Sequence, residues 1–232
     1  MTARRLVFAI FALIAIATAV SAVVAVAAAV GGTGSWGTAC YASLKSVIAS
    51  AFLVLIAIRP DARKRSRDPV AFIACALAIT PGFLLQPPSG AAATGWNVIG
   101  GEAVTVAGGL WMVLSVVFLG RCFGVLPEAR GLVTRGPYRL VRHPLYLGEL
   151  TAFSGLVIAS PTVVNILAAV LFAAGQATRM RLEERALAAE FPEYHVYASR
   201  TPRLIPRRRP IGANPVAAGG TPAVGVHTAT GR

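Results

Sequence analysis

The sequence predicts an all-α integral-membrane protein, a helical bundle of about six transmembrane helices. Three observations carry that expectation. Hydrophobic residues fill 56% of the 232 positions and charged residues only 13%, against about a quarter charged in a soluble domain. The apolar residues fall in long unbroken runs, not in the short alternations of a half-buried sheet. The arginines collect in every second connection between those runs, as happens when one side of a membrane retains the basic residues.

Arg4 and Arg5 precede a first run over 6–30. It is longer than the apolar core of a signal peptide and further apolar segments follow, so it is expected to stay as a helix. Gly31, Gly32 and Gly34 break it. A second run covers about 41–58, with Lys45 near one end, where its stem can lie along apolar surface while the ammonium reaches water. Residues 59–69 form a strongly basic loop. A third run, about 70–85, contains Pro81-Gly82, which is expected to kink or end it. An uncharged Pro/Gly/Ser/Ala loop over 86–97 follows.

The fourth run covers about 98–120, with Glu102 near its start, and 121–142 is the second large basic loop. The fifth run, 145–160, is short for a full span. Pro161 is expected to form a tight hairpin into a sixth run over 162–178. Residues 179 to about 190 read as a separate amphipathic helix leaving the membrane. Beyond Pro206 the chain is rich in Pro, Gly and Ala and starts with Arg207-Arg208-Arg209. A domain over 1–206 and a disordered basic tail over 207–232 are therefore expected.

The formal charge of +13 would suit nucleic acid, but no groove-reading motif accompanies it, so no nucleic-acid partner is expected. The lipid bilayer is the expected partner. Cys40, Cys75 and Cys122 are far apart and show no C-x-x-C spacing, which speaks against a disulfide framework or a zinc site. The basic segments are the N-terminus, the second-to-third loop, the fourth-to-fifth loop and the C-terminus. Six spans with both termini cytoplasmic place all four on one side, whereas five spans put one of them outside. A re-entrant hairpin in place of the fifth and sixth spans is the alternative. The Ala- and Arg-rich composition points to a bacterial plasma membrane.

Two polar stretches interrupt the apolar pattern. The first is Arg142-His143-Pro144-x-Tyr146-x-Gly148-Glu149. Pro suits the first turn of a helix, where its missing N–H has no partner in any case. The free N–H groups of that turn favour an anion such as a ligand carboxylate. Glu149 points into an apolar run, and ionisable residues inside a span are functional candidates. The second stretch runs from Arg179 to Arg203. Arg179 and Glu183 are four residues apart and share one helix face, with Arg181 and Glu184 on neighbouring faces.

Gly131-Leu132-Val133-Thr134-Arg135-Gly136-Pro137-Tyr138, then Arg142-His143-Pro144-x-Tyr146-x-Gly148, Glu183-Glu184-x-x-Leu187, Phe191-Pro192-Glu193-Tyr194-x-x-Tyr197 and Pro202-Arg203 together resemble the isoprenylcysteine carboxyl methyltransferase family. That family is related to the integral-membrane phospholipid N-methyltransferases. The resemblance covers roughly 121–206, the catalytic half it implies. It implies a membrane methyltransferase that uses S-adenosyl-L-methionine without a Rossmann domain. It implies a cytoplasmic-side cofactor pocket closed by a C-terminal amphipathic helix. The implied cofactor-binding residues are Arg130, Gly131, Leu132, Val133, Tyr138, His143, Pro144, Leu145, Tyr146, Glu183 and Glu184. An arginine one turn before the glutamate faces the methyl acceptor. Here that role falls to Arg179, or to Arg181 if the hairpin register differs.

The chemistry suits such a site. Methyl transfer from a sulfonium is an in-line displacement in which positioning supplies most of the rate, and exclusion of water strengthens each polar contact. The acceptor implied is lipophilic or small, carrying a carboxyl, thiol or amine. An anionic acceptor calls for Arg179. An amine, as in a phospholipid N-methyltransferase, calls for a carboxylate such as Glu149. A transporter or scaffold with a cytoplasmic anion site is the rival from another class, against which stands the absence of an inverted repeat.

Overall fold

Glycine and proline punctuate an otherwise helical chain, and the helices start and stop where those residues stand. The computed structural model describes residues 3–34, 36–58, 68–85, 95–122, 124 and 129–206. The core of the basic loop, 59–67, the stretch 86–94 and the tail 207–232 lie outside the described residues, and with them the expectation of a disordered tail. Eight α-helices follow in order: α1 (Ala3–Val30), α2 (Trp36–Ile58), α3 (Pro69–Ile79), α4 (Pro81–Leu84), α5 (Trp96–Leu119), α6 (Pro144–Ala159), α7 (Val163–Glu190) and α8 (Tyr194–Arg200). Short 3-10 turns cover Gly120–Cys122 and Gly136–Arg139. Among the described residues there is no strand.

Among the described residues three stretches are long and apolar enough to cross a membrane: Phe8–Val30, Trp96–Leu119 and Val163–Glu190. Ala42–Ile58, Pro69–Ala78 and Pro144–Ala159 are apolar but shorter. Large apolar side chains stand exposed along the first of these, among them Leu13, Ile16 and Val23. Such a surface fits hydrocarbon and not water.

Local chemistry sets the ends. Asp68 caps α3, its carboxylate accepting from the Val70 N–H at 2.8 Å, with Pro69 in the first turn. The third run ends at Thr80 and restarts at Pro81 as the one-turn α4, because proline offers no N–H to continue the ladder. Gly120 ends α5 at φ +52°, a conformation that a side chain would strain. Thr162 caps α7 by accepting from Asn165 N–H at 3.1 Å. The buried Asn165 amide in turn donates to the Ser160 carbonyl at 2.7 Å, closing the Pro161 hairpin.

The sixth run and the expected separate amphipathic helix are one continuous helix, α7. The physical reason is local. Residues between Thr178 and Glu190 are good helix formers, and neither cap nor breaker interrupts them. The polar end of α7 is thereby held rigidly in line with its apolar shaft.

The main packing seam lies between α5 and α6. Gly101 and Gly108 on α5, and Gly148 and Gly155 on α6, stand two turns apart on facing surfaces. A Cβ on Gly101 would sit 2.5 Å from Ala159 N and Gly155 O. Backbones this close are the mark of small-residue packing in membranes. The Thr105 hydroxyl lies 2.8 Å from Gly101 O and 3.2 Å from Ala152 O, shared between its own helix and the neighbour. A core of Leu55, Ile56, Met112, Val116 and Leu145 joins α2, α5 and α6. Phe153 of α6 stacks on Phe172 of α7 with centroids 4.3 Å apart, and α3 crosses α7 at Gly175. These contacts fix the ends of α6 and α7 opposite each other.

Candidate functional site

Pro144 starts α6 with His143 as its N-cap. Trp111 of α5 donates its indole N–H to the Pro144 carbonyl at 2.9 Å, which anchors that first turn. From it His143, Leu145 and Tyr146 project inward, all buried. The rings of His143 and Tyr146 meet edge-on, with centroids 5.4 Å apart. Across from them, the polar end of α7 presents Arg179, Glu183 and Glu184.

The two sequence-distant polar stretches do meet. Tyr146 Oη donates to Glu183 Oε2 at 2.9 Å. The Arg179 guanidinium lies 5.1 Å from the centre of the Tyr146 ring, a cation–π distance. Arg179 Nη1 donates to Gln176 Oε1 at 2.9 Å and stands 3.9 Å from Glu149 Oε2. The Gln176 amide N–H donates to that same Glu149 oxygen.

A small cavity of about 40 Å³ lies among these groups, lined by Cys122, Tyr138, His143, Tyr146, Arg179 and Glu183, with Leu119, Gly124, Arg142 and Leu145 completing its wall. That volume holds about three water-sized molecules. A far larger open groove, about 1620 Å³, lies on the outer side of Arg142, between residues 132–142 and α8. The polar groups of opposite character converge on the small cavity, so the chemistry is assigned there. Arg142 lines both spaces.

Glu184 is placed outside the cavity. Its carboxylate accepts from Arg203 Nε at 3.0 Å and meets Arg203 Nη2, lies 3.2 Å from Arg142 Nη1, and pairs with His143 Nε2 at 2.9 Å. It acts as a knot that ties α7, the α6 cap and the segment after α8 together. Main-chain bonds reinforce the knot: Arg142 N–H donates to Pro202 O at 2.8 Å and His143 N–H to Arg203 O at 3.1 Å. Arg142 Nη1 also donates to Tyr194 Oη at 3.3 Å. Arg181 is exposed and not among the residues that line the cavity, whereas Arg179 lines it.

The loop before α6 is positioned by tyrosines. Tyr197 of α8 donates its hydroxyl to the Tyr138 carbonyl at 2.7 Å. Burial, and then the neighbouring Tyr194, push the Tyr197 phenol up, so it stays a donor. Burial followed by the charge of Glu183 also pushes the Tyr138 phenol up, and it stays a neutral wall of the cavity. Gly131 presses on Cys122, where a Cβ would lie 2.6 Å from Sγ. Leu132 faces the outer groove, and Arg130 and Val133 are half-buried. Residues 125–128 of this loop lie outside the described residues.

Sequence reasoning passed over Gln176, Cys122 and Trp111. Gln176 is a polar residue on the apolar side of Arg179, three positions back, and that spacing was the available signal. Nothing in the sequence ties Trp111 or Cys122 to residues more than twenty positions away.

Residues 94–193, which run from the start of α5 to the start of α8, match the model of the phospholipid methyltransferase family. The matched part includes two of the three long apolar stretches, Trp96–Leu119 and Val163–Glu190. The cobalt-zinc-cadmium resistance protein CzcN of Cupriavidus metallidurans is 38% identical over 108 residues, 46% of this chain and 46% of that protein. The nickel-cobalt-cadmium resistance protein NccN of Alcaligenes xylosoxydans xylosoxydans is 37% identical over 109 residues, 46% of this chain and 47% of that protein. The matched region spans a little under half the length of these relatives.

Proposed function

We propose that this chain is a membrane methyltransferase that takes its methyl group from S-adenosyl-L-methionine and transfers it to a lipophilic or small acceptor at the cytoplasmic face. The observation that carries the reading is the meeting of Tyr146 and Glu183 at 2.9 Å, inside the region that matches the phospholipid methyltransferase family. Members of that family use the same cofactor.

The residues suit the cofactor in kind. Glu183 has acceptor oxygens for ribose hydroxyls or an ammonium. Its negative charge stands on the cavity wall together with Tyr138 and Tyr146. The cavity as it stands has room only for a reacting end. When bound, the cofactor supplies an electrophilic methyl on a positively charged sulfur. The chain's part is to orient it through Glu183 and to exclude water with the buried His143, Leu145 and Tyr146.

Six spans with both termini in the cytoplasm, in a bacterial plasma membrane, complete the reading. That topology puts the Arg142–Glu184 knot on the inner side of the membrane. CzcN and NccN are named for metal resistance. Among the described residues no group of three or more His, Cys, Asp or Glu is placed to hold a metal ion, and the Glu183 cavity is the proposed seat of this chain's chemistry.

The test is cofactor binding to the purified protein by calorimetry. Binding is expected for the intact chain, with a loss of at least a hundredfold in Glu183→Ala. Unchanged affinity in that variant would remove the site assignment.

A further inference from the structure

The outer groove has no part in the chemistry proposed above, and charge of one sign dominates its lining. Arg139, Arg142, Arg200 and Arg203 all line it, and Glu193 is the acidic residue among its lining. Arg142 and Arg203 share the carboxylate of Glu184. Arg139 and Arg200 are exposed, and among the described residues neither forms an ion pair. Four guanidinium groups thus stand against two carboxylates, an excess of two positive charges. The Tyr197 hydroxyl donates to the Tyr138 carbonyl at 2.7 Å and ties the two walls of the groove. Arg139 follows Tyr138 on one wall, and Arg200 stands one helical turn after Tyr197 on the other.

Exposed apolar side chains accompany these charges. Leu140 and Val196 line the groove and are 53% and 54% exposed, and Ile205, 80% exposed, adjoins Pro206 on the same lining. The level of the groove along the bundle is fixed by main-chain bonds. Arg142 N–H donates to Pro202 O and His143 N–H to Arg203 O. Residues 202–203 therefore lie against the first turn of α6, where the apolar stretch Pro144–Ala159 begins. Arginines mixed with exposed apolar side chains at that level match the boundary of a bilayer, where phosphates lie beside acyl chains. A soluble polyanion would pair with the arginines but leave the three apolar side chains in water. The chain's own continuation adds charge of the same sign, because it opens with Arg207-Arg208-Arg209.

We infer that the outer groove seats an anionic phospholipid, with its phosphate between Arg139 and Arg200 and its acyl chains beside Leu140, Val196 and Ile205. This rests on the membrane topology proposed above and is independent of the methyl-transfer chemistry. The lipid is a ligand here and not the methyl acceptor, since the groove lies on the other side of Arg142 from the small cavity. A guanidinium offers a fork of N–H donors that fits phosphate oxygens. A phosphate seated between the two walls offsets the repulsion of their arginines and holds the loop that carries Tyr138 against α8.

The experiment is native mass spectrometry of the full chain in a neutral detergent. Phosphatidylglycerol and phosphatidylcholine with the same acyl chains are added in equal amounts. The anionic lipid is expected to be retained roughly tenfold more. Arg139→Gln with Arg200→Gln should bring the two lipids to near parity. Arg139→Lys with Arg200→Lys should keep most of the preference, since an ammonium still pairs with phosphate. Arg63→Gln with Arg65→Gln removes the same charge from the 59–69 loop and should leave the ratio of the intact chain. Glycerol 3-phosphate should not displace the lipid. No preference in the intact chain, an equal loss in the two glutamine pairs, or displacement by glycerol 3-phosphate overturns the inference. A chain that keeps the lipid ratio but does not bind S-adenosyl-L-methionine overturns the methyltransferase reading and leaves this one standing.

Discussion

At the level of single residues, position along α7 separates groups that look alike in the sequence. Arg179 and Arg181 are both arginines next to glutamates, yet one is held among Tyr146, Gln176 and Glu149 and the other faces outward. Two positions on a helix differ by about 200°, so only one can face the cavity. Arg179→Ala is expected to cost about 3 kcal/mol of stability, since it strips a buried carboxylate of its partner. Arg181→Ala is expected to stay within about 0.5 kcal/mol, as exposed substitutions do. Thermal unfolding of both variants in the same detergent checks the contrast, and equal losses would count against the register.

Helices meet here by two different devices, and each makes its own prediction. The α5–α6 seam depends on the absence of side chains at Gly101, Gly108, Gly148 and Gly155. Gly155→Val would drive a branched side chain into Thr105 and the Gly101 carbonyl. The expected loss is about 2–3 kcal/mol, the scale of overpacking, seen as a lower unfolding midpoint. The connection from α8 to α6 depends instead on Glu184, which holds His143, Arg142 and Arg203. Glu184→Gln keeps the size and removes the charge. Brief trypsin treatment should then cut after Arg200 or Arg203 several-fold faster, because the ion pairs no longer reinforce the two main-chain bonds to Pro202 and Arg203. An unchanged cleavage rate would show that the ion pairs contribute little to closure.

For the molecule as a whole, the proposed topology puts the site where the polar ends of α6 and α7 leave the apolar bundle. That arrangement holds only if the polar ends of α6 and α7 lie at the cytoplasmic interface. A version of the chain in which Cys40, Cys75 and Cys122 are replaced by alanine, with one new cysteine at Thr134 or at Gly95, tests it. An impermeant maleimide should label Thr134→Cys only in inside-out vesicles and Gly95→Cys only in right-side-out ones. The reverse pattern, or one pattern for both, would invert or break the proposed topology.

Much of this was legible before any coordinates. That His143, Tyr146 and Glu183 belong to one site is expected from a family resemblance, whereas helical content, the break at Pro81 and the hairpin at Pro161 lie in local features: apolar runs and prolines. These features act over a few residues, through backbone geometry and hydration, and so are readable one window at a time. The rest depends on which helix faces which. The outward turn of Glu184, the meeting of Arg179 with Glu149, and the size of the cavity are set by contacts between residues tens of positions apart. Their energies come from close packing and from charges in a low dielectric, both of which change steeply over an ångström. No local pattern encodes those distances, and only the assembled helices decide them.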